Sequence, residues 1–154
     1  MPYIRATLTT LAYAGRRRPR VLLVEDHASL AQATAEFLSA HGLDVRIANS
    51  GEEALDAAAE FRPEIVVCDM RLPDLSGLEV ARMLRARGET SNAVLAISTA
   101  LSDGELQFLG ANTHRADVDL FLPKPLTEAG IRTLLAASAT RQNHRESAAP
   151  DLAT

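Results

Sequence analysis

Polar side chains follow four of the hydrophobic runs in the sequence, at the point where each run ends. They are the carboxylates of Glu25, Asp26 and Asp69, the hydroxyl of either Ser98 or Thr99, and the ammonium of Lys124. Grouped carboxylates repel one another and need a cation, and Mg²⁺ prefers a few carboxylates together with water and phosphate oxygens. An ammonium and a hydroxyl stabilise phosphoryl oxygens, and an ionised aspartate is able to attack phosphorus. Together these side chains indicate phosphoryl transfer onto an aspartate, with Mg²⁺ or Mn²⁺ as the cation.

Lys124 is the only lysine among the 16 lysines and arginines of the chain. A lysine is usually a solvated surface residue. This one lies between two prolines at the end of a hydrophobic run, which favours a functional role over the surface role.

The sequence around Asp69 predicts a strand, a turn and a helix within a few residues. Residues 65–68 form an apolar run that is typical of a strand buried on both faces. Residues 72–74 predict a turn, and residues 76–79 spell the capping box Ser-x-x-Glu that begins a helix. Taken alone, Asp69 more commonly caps a loop, so the role of this residue depends on what surrounds it in the fold.

Four further segments predict strands, and helical segments separate them. They are the hydrophobic segments at residues 21–24, 94–97 and 119–122, and the alternating, half-exposed segment at residues 43–47. Alternation of five strands with five helices predicts a parallel α/β sheet with right-handed crossovers and helices on both faces. Because the carboxyl ends of parallel strands share one edge, we expect the polar residues to converge there.

Composition and charge limit the function classes. The chain has 154 residues, 47% of them hydrophobic and 23% charged, which is ordinary for one globular domain. No apolar stretch has the length of a membrane span, and Cys68, the only cysteine, is expected to be a small buried residue in a cytoplasmic protein.

Residues 1–20 carry five arginines and no acid, whereas the remaining 11 basic and 20 acidic groups give residues 21–154 a charge of −9. The negative net charge of residues 21–154 argues against direct DNA binding by the domain itself.

Three segments are predicted. Residues 1–19 form a flexible basic extension, residues 20–141 form the domain, and residues 142–154 form a disordered tail because they are polar, small and without a core pattern.

These motifs, in this order and spacing, resemble the receiver domain of two-component response regulators. The resemblance covers about residues 20–140 and rests on Val24-Glu25-Asp26, the stretch from Asp69 to Gly77, the hydroxyl after residues 94–97, and Leu122-Pro123-Lys124-Pro125. It implies a flavodoxin-like (βα)5 fold with strand order 2-1-3-4-5. It also implies that Asp69 accepts a phosphoryl group from a histidine kinase or a histidine phosphotransfer protein.

The resemblance further implies roles for individual residues. Glu25, Asp26, Asp69 and the backbone carbonyl of Arg71 would hold the metal, with Asp26 a direct ligand, and Lys124, in a cis peptide bond with Pro125, would bind the phosphoryl group. Phe121 would be the switch aromatic, moving together with Ser98. Thr99 is the alternative hydroxyl, although alignment of residues 94–97 favours Ser98. His27 often corresponds to an acid in the family, and we interpret it as a solvent-facing neighbour of the site.

The sequence leaves several functions open. The leading interpretation is a single-domain response regulator of bacterial signalling, whose phosphorylation switches the binding of an unidentified protein partner. Such a protein is not an enzyme, because it catalyses only its own phosphorylation and slow dephosphorylation. The sequence equally fits a relay intermediate or a receiver module cut from a hybrid histidine kinase. An aspartate-nucleophile phosphohydrolase is the weaker alternative, because such enzymes place a second aspartate where this chain has Arg71. The sequence ends soon after the last predicted helix, so no DNA-binding module is expected.

Overall fold

The computed structural model describes residues 17–100, 102, 104–105, 107–108 and 117–148. Within them, five parallel strands form one sheet in the order β2-β1-β3-β4-β5. The strands are β1 (Arg20–Val24), β2 (Asp44–Ala48), β3 (Ile65–Asp69), β4 (Val94–Thr99) and β5 (Leu120–Pro123). This order and direction confirm the predicted flavodoxin-like arrangement.

The helices in the described part of the chain are α1 (Ala28–Ala40), α2 (Gly51–Phe61), α3 (Gly77–Arg85) and α4 (Glu128–Ala148). None of them is long and apolar enough to cross a membrane. The helix predicted between β4 and β5 lies partly outside the described residues. Of that segment, helical backbone is seen at Gly104, Glu105, Gln107 and Phe108.

Two apolar clusters cover the two faces of the sheet. Because successive residues of a strand point to opposite faces, Leu22 and Val66 belong to the cluster that includes residues of α2 and α3. Their neighbours Val21 and Val67 belong to the cluster that includes residues of α1 and α4. Burial on both faces explains the continuous apolar runs, and it fixes the carboxyl ends of the central strands at one edge.

The last helix differs from its predicted end. It continues to Ala148, so residues 142–148 are helical, whereas the sequence predicted a disordered tail from residue 142. This segment contains neither glycine nor proline, and its exposed side chains gave no apolar period to detect. The Gln142 amide donates a hydrogen bond of 3.0 Å to Glu64, which anchors the extension to the start of β3. Residues 149–154 and 1–16, where the rest of the predicted tail and extension fall, lie outside the described residues.

Candidate functional site

Three carboxylates meet at the carboxyl edge of the sheet. Glu25 and Asp26 follow β1, and Asp69 is the last residue of β3. One carboxylate oxygen from each lies within 4.8 Å of the others. Glu25 is 5% exposed, and its N–H donates to the carbonyl of Ala48 at 3.0 Å, whereas Asp26 is exposed. The sheet therefore assembles the acidic cluster that the sequence predicted from strand ends.

Lys124 brings the compensating charge. Its ammonium donates to Glu25 at 2.7 Å and lies 3.3 Å from Asp69 Oδ2. The Lys124 N–H donates to the carbonyl of Thr99 at 2.9 Å, and the Lys124–Pro125 bond is cis as expected. Burial alone would lower the pKa of Lys124. The hydrogen bond to Glu25 and the charges of Asp69 and Glu25 outweigh burial and raise the pKa, so this group stays positive beside Asp69.

Of the two candidate hydroxyls, Ser98 is the one beside Asp69. The two residues are register partners in β3 and β4. Ser98 also lines a cavity of about 20 Å³ together with Glu25, Asp69 and Lys124. Thr99 pairs with Pro123 instead and, as the next residue along the strand, points to the opposite face.

The loop after Asp69 closes tightly on itself. The N–H of Arg71 donates to Asp69 Oδ1 at 3.3 Å, and the N–H of Gly77 donates to the carbonyl of Met70 at 2.8 Å. A Cβ added at Gly77 would lie 2.3 Å from the carbonyl oxygen of Asp69. Glycine is therefore required at this position by the close approach of two backbone segments.

The Arg71 side chain is exposed. Within the described residues its guanidinium forms neither an ion pair nor a hydrogen bond, and Glu25 is paired with Lys124 instead. The Arg71 side chain can therefore change conformation without breaking a hydrogen bond or an ion pair in the described part of the protein.

Phe121 lies half-buried in β5, against the cluster that contains Ile97 and Leu95. Ile97 is its register partner in β4 and immediately precedes Ser98. The hydroxyl and the aromatic ring named as the switch pair thus lie on adjacent strands.

His27 has the predicted exposed position and also makes two contacts that the sequence did not predict. Its ring is exposed, as expected, and Nδ1 accepts from the N–H of Leu30 at 3.4 Å, so His27 is the N-cap of α1. Its own N–H donates to Glu25 at 3.3 Å. The chain thus holds the Glu25 carboxylate from two sides, by this N–H and by Lys124.

Asp74 is a residue whose contacts the sequence did not reveal. Its carboxylate accepts hydrogen bonds from the N–H groups of Gly51 at 2.9 Å, Glu52 at 2.8 Å and Leu75 at 2.9 Å. The bonds from Glu52 and Gly51 are the main cause of the lowered pKa of Asp74. The sequence indicated only a turn here, because nothing local identifies a partner that lies more than twenty residues away.

Cys68 precedes Asp69 and is 2% exposed, which confirms the expected buried position. Burial first, and then the negative charge of Asp69, raise the pKa of the thiol. The thiol therefore stays protonated and donates weakly to the Asp69 carbonyl at 3.4 Å.

A larger cavity, of about 850 Å³, opens at the opposite edge of the sheet and is lined by several arginines. Arg20 donates to the carbonyl of Arg62 and pairs with Glu64, and Arg141 pairs with Asp119. These contacts tie the start of β1 and α4 to their neighbours, so we assign these arginines a structural role.

The donor set at the acidic edge fits a hard divalent cation. All of its donors are oxygens, the exposed Asp26 leaves room for water ligands, and one lysine offsets only part of the charge of three carboxylates. Asp69, Glu25 and Asp26 are thus able to hold Mg²⁺, while the Lys124 ammonium contacts both Glu25 and Asp69.

Comparison with known proteins gives a consistent result. A family model described as the response regulator receiver domain matches residues 21–136. The chain is 37% identical over 134 residues to the response regulator MprA of Mycolicibacterium vanbaalenii, covering 84% of this chain and 56% of that protein. It is 36% identical over 120 residues to the DNA-binding response regulator MtrA of Mycolicibacterium paratuberculosis, covering 77% of this chain and 52% of that protein. The chain therefore spans about half the length of these relatives.

The fold is also found among solved structures. The chemotaxis response regulator CheY4 of Vibrio cholerae superposes with a TM-score of 0.68 at 24% identity, covering 79% of this chain and 99% of that one. At this identity the likeness concerns the fold. The extent of the family match, together with the five-stranded sheet and the acidic edge described above, shows that the chain belongs to the response regulator receiver domain family of two-component signalling.

Proposed function

We propose that Asp69 accepts a phosphoryl group from a phosphohistidine of a histidine kinase or a histidine phosphotransfer protein, in a reaction that requires Mg²⁺ or Mn²⁺. One observation carries this proposal. The Lys124 ammonium lies 3.3 Å from Asp69, and two further carboxylates are close enough to Asp69 to share a cation with it. Such a site would place a lysine and a bound cation beside the aspartate whose oxygen attacks phosphorus.

The chemistry follows from the positions of the side chains. An oxygen of ionised Asp69 forms a bond to phosphorus as the bond from phosphorus to the histidine nitrogen breaks, and the freed electron pair stays on the imidazole. Lys124 pairs with one phosphoryl oxygen and the Ser98 hydroxyl donates to another. Glu25, Asp26, Asp69 and the Arg71 carbonyl would hold Mg²⁺, which supplies positive charge to the phosphoryl oxygens.

The readout we propose is a coupled movement of Ser98 and Phe121. When the Ser98 hydroxyl turns to the phosphoryl group, it vacates space into which the ring of Phe121 turns. Phenylalanine lacks a hydroxyl, so a partner would read this change by packing. Crystals with a phosphate mimic in which both side chains keep their unphosphorylated positions would contradict this route.

The partner and the setting are also proposals. We propose a receiver that acts in the cytoplasm on a protein partner, and the charge of −9 on residues 21–154 argues against DNA binding by these residues themselves. MtrA is named as a DNA-binding protein, and this chain matches about half of it. Phosphotransfer profiling with purified kinases separates a terminal switch, which keeps the phosphoryl group, from a relay intermediate, which passes it to a second histidine.

Asp26→Ala is expected to weaken Mg²⁺ binding about 100-fold and to slow phosphorylation in parallel, because it removes the most exposed of the clustered carboxylates. Titration calorimetry with Mg²⁺ and intact-mass kinetics with acetyl phosphate measure the two effects. Asp56→Ala, at an exposed carboxylate on α2, is the matched control and should behave as wild type. Equal phosphorylation rates of wild type with Mg²⁺ and with excess chelator would contradict the requirement for the ion.

Arg71→Ala is expected to shorten the lifetime of the phosphoryl group several-fold. The exposed Arg71 side chain lies two residues from Asp69 and is free to occupy the path of an attacking water, which must be ordered for in-line attack. The measurement is the decay of phosphorylated protein after the donor is removed, compared among wild type, Arg71→Ala, Arg71→Asn and the control Arg82→Ala on α3. If both short side chains at position 71 leave the phosphoryl group equally or more persistent, shielding by Arg71 is wrong.

A further inference from the structure

The amino terminus of α2 draws its hydrogen-bond acceptors from two different segments. The first N–H groups of a helix have no partner within the helix. Ser50 Oγ accepts from Glu53 at 3.1 Å, as an N-cap does, whereas the N–H groups of Gly51 and Glu52 both donate to Asp74. One serine hydroxyl does not satisfy three donors, so this helix start depends on a carboxylate from the β3–α3 loop, residues 70–76.

A close side-chain contact reinforces these hydrogen bonds. A Cβ added at Gly51 would lie 2.9 Å from Leu75 Cβ and 2.9 Å from Leu75 Cδ1. The glycine at the start of α2 therefore lets Leu75 approach the helix backbone. Asp74 and Leu75 together dock the β3–α3 loop onto α2 through adjacent residues of the loop.

The other end of the same loop contacts the phosphoacceptor. Arg71 and Ser76 form an isolated antiparallel bridge across the loop. The N–H of Arg71 donates to Asp69 Oδ1 at 3.3 Å, and Gly77 closes the loop on the Met70 carbonyl at 2.8 Å. If the loop moved relative to α2, these contacts would change the orientation of the Asp69 carboxylate and of the Arg71 backbone.

We propose that Asp74 is a positioning residue, whose carboxylate ties the β3–α3 loop to α2 and thereby holds the Asp69 carboxylate and the Arg71 carbonyl in the geometry that binds Mg²⁺. The inference rests on the proposed function of Asp69. It assigns a role in metal affinity and phosphoryl transfer to a residue that contacts neither the metal ligands nor the phosphoryl group. Its physical basis is that a loop fixed at both ends need not be ordered again when the ion binds.

The test separates this role from ordinary helix capping. Asp74→Ala removes the link between loop and helix. Ser50→Ala removes an acceptor from the same helix terminus without touching the loop. Both variants should unfold at lower temperature. Below that temperature, Asp74→Ala should bind Mg²⁺ about tenfold more weakly and accept the phosphoryl group from acetyl phosphate more slowly, whereas Ser50→Ala should match wild type in both.

Asp74→Asn is the second variant, which keeps the side-chain shape and one acceptor oxygen, and it should fall between wild type and Asp74→Ala. If Asp74→Ala does not fold, the Mg²⁺ affinity and the phosphorylation rate of Asp74→Asn test the proposal instead. Mg²⁺ affinities of Asp74→Ala and Asp74→Asn equal to that of wild type would overturn the proposal and leave the function of Asp69 intact. Equal losses in Ser50→Ala would also overturn it, because helix capping alone would then explain the effect. A wild-type protein that takes neither Mg²⁺ nor a phosphoryl group would overturn the proposed function as well.

Discussion

Asp69→Asn is expected to abolish phosphorylation while leaving the protein folded. An amide has no ionised oxygen with which to attack phosphorus. The change is nearly isosteric, so the packing of β3 is retained. It also removes one of three negative charges that lie within 4.8 Å of one another, which offsets the lost contact of 3.3 Å with Lys124. We therefore expect the free energy of unfolding to change little.

The experiment compares the intact masses of wild type and Asp69→Asn after incubation with acetyl phosphate and Mg²⁺. Asp56→Asn makes the same chemical change at an exposed carboxylate on α2 and should be phosphorylated as wild type is. Thermal unfolding of all three proteins verifies that loss of labelling is not loss of the fold. Undiminished acid-labile labelling of Asp69→Asn would refute the assignment of this residue.

Gly77→Ala is expected to have the largest effect on stability among single methyl additions to the described glycines. The added Cβ would lie 2.3 Å from the Asp69 carbonyl oxygen, a backbone atom at the end of a buried strand that cannot move aside as a side chain does. Overpacking of this kind costs about 3 kcal/mol, which corresponds to a fall of roughly 10 °C in Tm for a domain of this size. Because the clash is with Asp69 itself, phosphorylation should also slow at temperatures where the variant is folded.

Gly88→Ala provides the matched control, since a Cβ added at Gly88 has no atom within 4 Å among the described residues. This change should leave Tm unchanged or raise it slightly, because alanine restricts the unfolded chain. Thermal unfolding followed by circular dichroism measures both variants. A Gly77→Ala protein with the Tm of wild type would show that the loop and β3 separate easily, contrary to the close packing at this point.

The fold was largely predictable because its signals are local. The central strands are apolar on both faces, so they appear as uninterrupted runs. The serines at positions 50 and 76 mark helix starts that the structure confirms. The edge strand β2 alternates, as its partial exposure requires. The end of α4 was predicted wrongly because a helix that leaves the core has no apolar period, and its contact with Glu64 is not visible in sequence.

The site was predictable to the extent that topology alone creates it. Parallel strands bring Glu25, Asp69 and Lys124 to one edge whatever lies between them in the chain. Contacts that depend on loop conformation were not accessible to sequence reasoning. The hydrogen bonds from the start of α2 to Asp74 depend on the path of the turn that carries Asp74. The ion pair between Lys124 and Glu25 depends on side-chain orientation. Strand register, rather than residue type, distinguishes Ser98 from Thr99 as the neighbour of Asp69.

We expect this chain to catalyse its own phosphorylation at one aspartate. The most direct test is intact-mass spectrometry of the wild-type protein after incubation with acetyl phosphate and Mg²⁺, followed by mapping of the modified peptide. The expected result is a gain of one phosphoryl group that hydroxylamine removes, that chelator prevents and that maps to the peptide containing Asp69. Absence of any gain, a gain that resists hydroxylamine, or a gain that maps away from Asp69 would contradict it.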